Sequence, residues 1–213
     1  MALRTPKSSL PSNPDFETIK DNAALLFGCA VVMWILELVD FFLGGFLDQF
    51  GIKPRVISGL AGTITSPWLH LGFPHLISNT IPFLVLGGLV LLGGRRIFCS
   101  VSIFIALIGG GVLWLIGPSN TNHVGASAVV FGYLGFLLSR GIFERSVFWT
   151  LISFGILVFY GYMILGVLPG QPGISWQGHL FGFGAGILAA WLMFPLGGTL
   201  YKPKKQTGFT DSI

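Results

Sequence analysis

Charge is what this sequence has least of. Only 9% of its 213 residues are Asp, Glu, Lys or Arg, where a soluble domain carries about 25%. Hydrophobic residues make up 53%. Such a chain cannot cover a globular surface with water-solvated groups, so it is read as a polytopic membrane protein. The formal net charge of +4 does not argue for nucleic acid, because the basic residues sit at the ends of apolar runs. Cysteine is nearly absent: Cys29 and Cys99 both lie in or beside apolar runs, and free thiols are expected rather than a disulfide framework. Histidine occurs four times, at 70, 75, 123 and 179. His70 and His75 are five apart, and no Glu follows the first, so the pair lacks the pattern of a helical zinc site. No metal and no cofactor is expected. The first twenty residues lack the apolar stretch of a signal peptide, and residues 1–22 are expected to form a polar, disordered tail.

What is abundant is long apolar sequence. Six runs are long enough, or nearly so, to cross a bilayer: residues 23–43, 76–94, 97–116, 125–138, 147–168 and 176–196. There is no internal repeat. The expectation is an all-α membrane protein, a six-helix bundle over residues 23–200, followed by a basic tail over 201–213. Ten of the twelve Lys and Arg residues fall in alternate connections and the two termini; only Lys53 and Arg55 fall on the other side. By the positive-inside rule both termini are cytoplasmic, as in a plasma membrane of bacterial type. The first connection, about residues 44–74, is long and apolar. It is expected to lie in the membrane interface, with Trp68 as an anchor.

The polar residues within these runs are few, and intramembrane polar groups are costly enough to need partners or a task. Ser127 opens the fourth run in Gly125-Ala126-Ser127-Ala128. A hydroxyl in the first turn of a helix sits beside unpaired N–H groups, where an oxyanion can be held. From Ser127 to Arg140 a helix spans roughly 20 Å at about 1.5 Å per residue. With a hydrocarbon core of about 30 Å and Arg140 marking one face, Ser127 lies below the other. His75 and Asn79 are i and i+4 on one helix face, and both donate hydrogen bonds. His179 stands in Gly178-His179-Leu-Phe-Gly182-Phe-Gly184-Ala-Gly186, a doubled small-xxx-small pattern that permits close helix approach. Packing of the fourth run on the sixth would bring His179 to Ser127 as the base that a serine nucleophile needs. Each motif alone is packing; their conjunction on three runs argues for chemistry. His123 is a rival base, read here as a loop residue. Glu37 and Asp40 are read as interfacial or loop-paired carboxylates, with Lys53 or Arg55 as partners, and a third catalytic member as the alternative.

These residues resemble the rhomboid family of intramembrane serine proteases. The resemblance rests on His70-x4-His75-x3-Asn79, on Gly125-Ala-Ser127 opening a short helix, and on Gly178-His179 with its glycines, over about residues 23–196. It implies a six-helix bundle with Ser127 as nucleophile and His179 as general base in a cavity open to the outer side. It implies an oxyanion site from the Ser127 N–H, His75 and Asn79, and a loop-ordering role for His70. Single-span membrane proteins are the implied substrates; oligomeric state is not indicated. Two departures stand out. Ala128 follows the serine where the family usually has Gly, and Ala61-Gly62 stands where many members have Trp-Arg. The alternative function is an inactive relative that binds membrane helices.

Overall fold

The structure, a computed structural model, describes residues 16–170 and 173–195. The basic tail at 201–213 and most of the N-terminal tail lie outside the described residues. Within them the chain is all-α, with a single isolated β-bridge and no strand. Helix α1 spans Phe16–Phe42, starting inside the stretch expected as tail. Helix α2 is Phe73–Leu91. Gly72 precedes it at φ +87°, and Pro74 occupies its first turn, where a missing N–H is harmless. Helix α3 runs Arg95–Ile116, α4 Ser127–Glu144 and α5 Val147–Tyr160, the last continuing as a 3-10 helix over Gly161–Val167. Helix α6 is Trp176–Met193.

Five helices, α1 to α5 with its 3-10 extension, are long and apolar enough to cross a membrane. Helix α6 has 18 residues but opens with Trp-Gln-Gly-His, a polar turn that dilutes its hydropathy. The third run is not one regular helix: Ile105–Gly109 form a π-turn.

Helix α4 is the axis. Two-thirds of its apolar window, 67%, is buried, against 6% for α5. Its principal neighbour is α6, and the contact is backbone on backbone. A methyl group added at Gly182 would overlap the Ala128 carbonyl, and one at Gly186 the Gly132 carbonyl. The glycines of the sixth run therefore serve the close approach that their spacing predicts.

The connections gather at two ends. At one, the loop from Leu43 to Gly72 meets the loop from Gly117 to Ala126: Ile52 and His123 exchange backbone hydrogen bonds of 2.9 Å. Ile57, Leu60 and Ile64 of the first loop point outward, 87%, 47% and 62% exposed. Trp68 is half-exposed, with part of its ring packed against the core. Arg55 does not pair with a carboxylate of α1 and bonds Ser119 instead. At the opposite end Arg95 holds the Asp21 carbonyl at 2.9 Å. Arg140 departs from its expected role as a surface marker. It is 3% exposed, bonded to Glu144 at 2.7 Å and stacked over Trp149 at 3.5 Å. A buried charge needs such a partner, and the aromatic face adds cation–π attraction. Helix α4 continues past Arg140 to Glu144, so the 125–138 run is too short an estimate of its length.

Candidate active site

The site is built where α4 begins. Gly125 sits at φ +119°, a conformation that side chains other than glycine's rarely adopt. It lets the chain turn sharply into Ser127, the first residue of α4. The two amides before the serine are already held. Gly125 N–H donates to the Ser66 carbonyl at 2.9 Å, and Ala126 N–H donates to His70 Nε2 at 3.3 Å. Because that nitrogen accepts, His70 is unprotonated there. The residue is 1% exposed. Burial, assisted by nearby His75 and opposed by the Trp68 carbonyl, lowers its pKa to about 4. His70 thus orders the loop ahead of the serine. Ser127 itself is part-exposed. Its Oγ has no hydrogen-bond partner among the described residues, and its N–H, being first in the helix, has no intrahelical acceptor.

His75 and Asn79 face this turn from α2. The N–H of Leu71 donates to His75 Nδ1 at 3.3 Å, which leaves the ring proton on Nε2. A Cβ at Gly125 would lie 2.9 Å from that Nε2 and 3.6 Å from Asn79 Nδ2. Asn79 spends one amide proton on the His75 carbonyl at 3.2 Å and has a second to give. Two side-chain donors therefore converge beside the residue two before the serine.

His179 approaches from α6. Its ring stacks on Phe131, with centroids 4.0 Å apart and planes 9° from parallel. Phe131 is one turn after Ser127 on the same face of α4. His179 Nδ1 lies 2.9 Å from the Gly166 carbonyl. A carbonyl only accepts, so Nδ1 carries the proton and Nε2 keeps its lone pair. No hydrogen bond joins Ser127 Oγ to His179 among the described residues; what ties the imidazole to α4 is its stack on Phe131, four residues after the serine.

The sequence motifs did not point to Phe131 or Gly166. The i+4 spacing from Ser127 to Phe131 was the available signal; Gly166 lies in an apolar stretch with nothing to mark it. Ala128 turns its carbonyl, not a bulky group, toward Gly182. His123 does not reach the serine: its ring nitrogens lie 2.7 Å from Thr121 Oγ1 and 2.7 Å from Ser175 Oγ. Glu37 and Asp40 are buried, 4% and 5% exposed. Asp40 takes the Leu47 N–H at 2.5 Å, and neither carboxylate joins His179. Among the described residues no group of three His, Cys, Asp or Glu side chains is placed to hold a metal.

A family model described as Rhomboid domain matches residues 58–196, a span that contains every residue of this site. The chain belongs to the rhomboid family. Similar proteins include an uncharacterized protein of Mycobacterium tuberculosis, 40% identical over 196 residues, covering 86% of this chain and 82% of its own length. RHOMBOID-like protein 4 of Arabidopsis thaliana is 30% identical over 152 residues, 65% of this chain and 36% of its own. Rhomboid-type serine protease 2 of Debaryomyces hansenii is 24% identical over 213 residues, 93% of this chain and 73% of its own. Rhomboid membership and the apolar helices together make this an integral membrane protein.

Proposed function

We propose that this rhomboid-family protein is an active serine endopeptidase that cuts single-span membrane proteins within the bilayer. The observation that carries this reading is the fixed state of His179. Its Nδ1 proton is engaged by the Gly166 carbonyl and its ring is held flat on Phe131, so Nε2 keeps a lone pair free to act as a base. Ser127 attacks the peptide carbonyl while His179 Nε2 takes the hydroxyl proton and later returns it to the leaving amine. Catalytic hydrogen bonds are often long before substrate binds, and the Ser127–His179 bond forms with the substrate in place. The oxyanion is held by the Ser127 N–H, by His75 Nε2–H and by the second Asn79 proton. No cofactor takes part.

In this reading α6 is the sixth crossing, both termini are cytoplasmic, and the site opens to the outer side of a bacterial-type plasma membrane. A transmembrane helix hides its carbonyls, so the substrate must unwind near its outer end, at Gly, Pro or small residues. It enters between α2 and α5, where Ile81, Pro82, Val85, Ile152, Gly155 and Phe159 line a groove open to the side.

The purified protein in lipid is expected to react with a serine-directed fluorophosphonate at Ser127, read by mass spectrometry, and to cleave single-span substrates. Ser127→Ala and His179→Ala should each abolish both, with no further loss in the double variant. Asn79→Ala should slow turnover by about 10²–10³. A protein that binds membrane helices but neither labels nor cleaves them would be the inactive relative instead.

A further inference from the structure

The group left over by this reading is His123. It is half-buried in the loop before Ser127, and burial holds its pKa below that of a free imidazole. The neighbours of its ring define one consistent direction of donation. Gly178 N–H donates to Ser175 Oγ at 3.2 Å. Ser175 O–H then has one acceptor on offer, His123 Nδ1 at 2.7 Å. With Nδ1 accepting, Nε2 carries the proton and donates to Thr121 Oγ1 at 2.7 Å. The Thr121 hydroxyl in turn donates to the Pro118 carbonyl at 2.7 Å. Every donor and acceptor in the series is used once in its ordinary role.

The two ends of this series matter. Ser175 is the N-cap of α6, and its carbonyl receives the His179 N–H at 3.1 Å. The other end is the loop that leads through Gly125 into Ser127. We infer that His123 is a positioning residue: its side chain clasps the nucleophile loop to the cap of the base-bearing helix and so sets the distance between Ser127 and His179. The clasp acts on the base through α6, and His123 touches neither the hydroxyl nor the imidazole. It supplies the link across the loops that no hydrogen bond supplies between the two catalytic groups themselves. The inference rests on the protease reading for its kinetic consequence, and on the hydrogen bonds alone for its structural one.

The backbone of His123 is held separately by its two bonds to Ile52, so changing the side chain leaves the loops joined and the protein folded. His123→Leu removes the acceptor for Ser175. His123→Asn keeps one, since the Asn Oδ1 sits at about the place of Nδ1. Hydrogen exchange of the purified protein, followed by mass spectrometry, should show faster exchange over residues 175–180 in His123→Leu and wild-type exchange in His123→Asn. In the same preparations kcat on a single-span substrate should fall about 10- to 100-fold in the Leu variant, as for a small misplacement of catalytic groups. KM should be unchanged, and the Asn variant should recover most of the rate. Unchanged exchange at residues 175–180 in His123→Leu overturns the clasp whether or not the protein is a protease. Faster exchange with an unaltered kcat overturns its positioning role. Failure of the wild-type chain to label at Ser127 overturns the protease reading, while the exchange result still decides the clasp.

Discussion

A carbonyl at Gly166 and a ring at Phe131 orient His179, a task that the Ser-His-Asp arrangement gives to a carboxylate. No carboxylate is needed for that task here: Glu37 and Asp40 do not reach His179, and Asp40 instead receives the Leu47 N–H. Ser127, His179, His75 and Asn79 were legible because each is a polar residue in an apolar run, where such residues stand out. Phe131 and Gly166 were not, because stacking and carbonyl acceptance use groups found everywhere in a membrane protein. At this scale the loop residues carry a pH signature. His70, with a pKa lowered from 6.5 to about 4, refuses a proton that the unfolded chain binds between those values. Its contribution to stability is full above 6.5 and is lost as pH falls toward 4. Asp48 runs the other way. Burial first, then the charges of Asp40 and Glu37, raise it from 3.8 to about 6; its contribution is full below 3.8 and is lost as pH rises through 6. The two slopes oppose each other in the intact protein, so variants must separate them. Relative to wild type, His70→Gln should be less stable at pH 7 and close much of that gap at pH 4.5. Asp48→Asn should hold an advantage at pH 7 that vanishes at pH 4.5. Thermal unfolding in detergent reads both, and gaps that do not change with pH would contradict the assignment.

At the scale of the helix, the α4–α6 contact separates glycines that look identical in sequence. Gly182 and Gly186 face carbonyls of α4 at less than the width of a methyl group, whereas Gly184 has nothing within 4 Å. Gly182→Ala should therefore cost at least about 1–3 kcal/mol, the usual range for overpacking, and should halt proteolysis by spreading the two helices. Gly184→Ala should leave melting temperature and rate at wild-type levels. Equal effects of the two changes would mean that α6 presents a different face to α4. The small-residue spacing made this contact legible. The length of α4 was not, because Arg140 reads as a boundary to any hydropathy argument. A guanidinium enclosed by Glu144, Trp149 and Phe194 behaves as interior, and nothing in the residue itself announces its enclosure. The opening of α1 at Phe16 was hidden in the same way, since a helix can begin in polar sequence before it reaches the apolar part.

For the molecule as a whole, burial is uneven in a way that matches its proposed work: a closely packed pair, α4 with α6, and an α5 whose apolar window is only 6% buried, beside an open groove. Gly155 lines that groove with open space around it. Gly155→Trp should fill the groove, blocking cleavage of single-span proteins while sparing Ser127 labelling by a small fluorophosphonate, which does not need the lateral route. Loss of both activities together would place the route elsewhere. The all-helical build and the five apolar helices were legible from hydropathy; their unequal burial was not, since lipid-facing and core-facing surfaces are equally apolar. The π-turn at Ile105–Gly109 then acquires a meaning beyond irregularity. One additional residue is accommodated there, and in a helix each residue advances the phase by about 100°. Below the turn α3 presents Val101 to the core, and the turn itself opens with buried Ile105; above it, Gly110 lies against Thr63 and Leu113 is 2% exposed, while Val112 stays outside. Removing one residue from the turn would rotate the upper half of α3 by about that angle, carrying Gly110 and Leu113 out toward lipid and turning their neighbours inward. The turn is thus a phase corrector, and the first loop, which rests on the upper half of α3 through the bond from Trp114 to Val56 at 2.8 Å, keeps its place over the site only while that correction is one residue long.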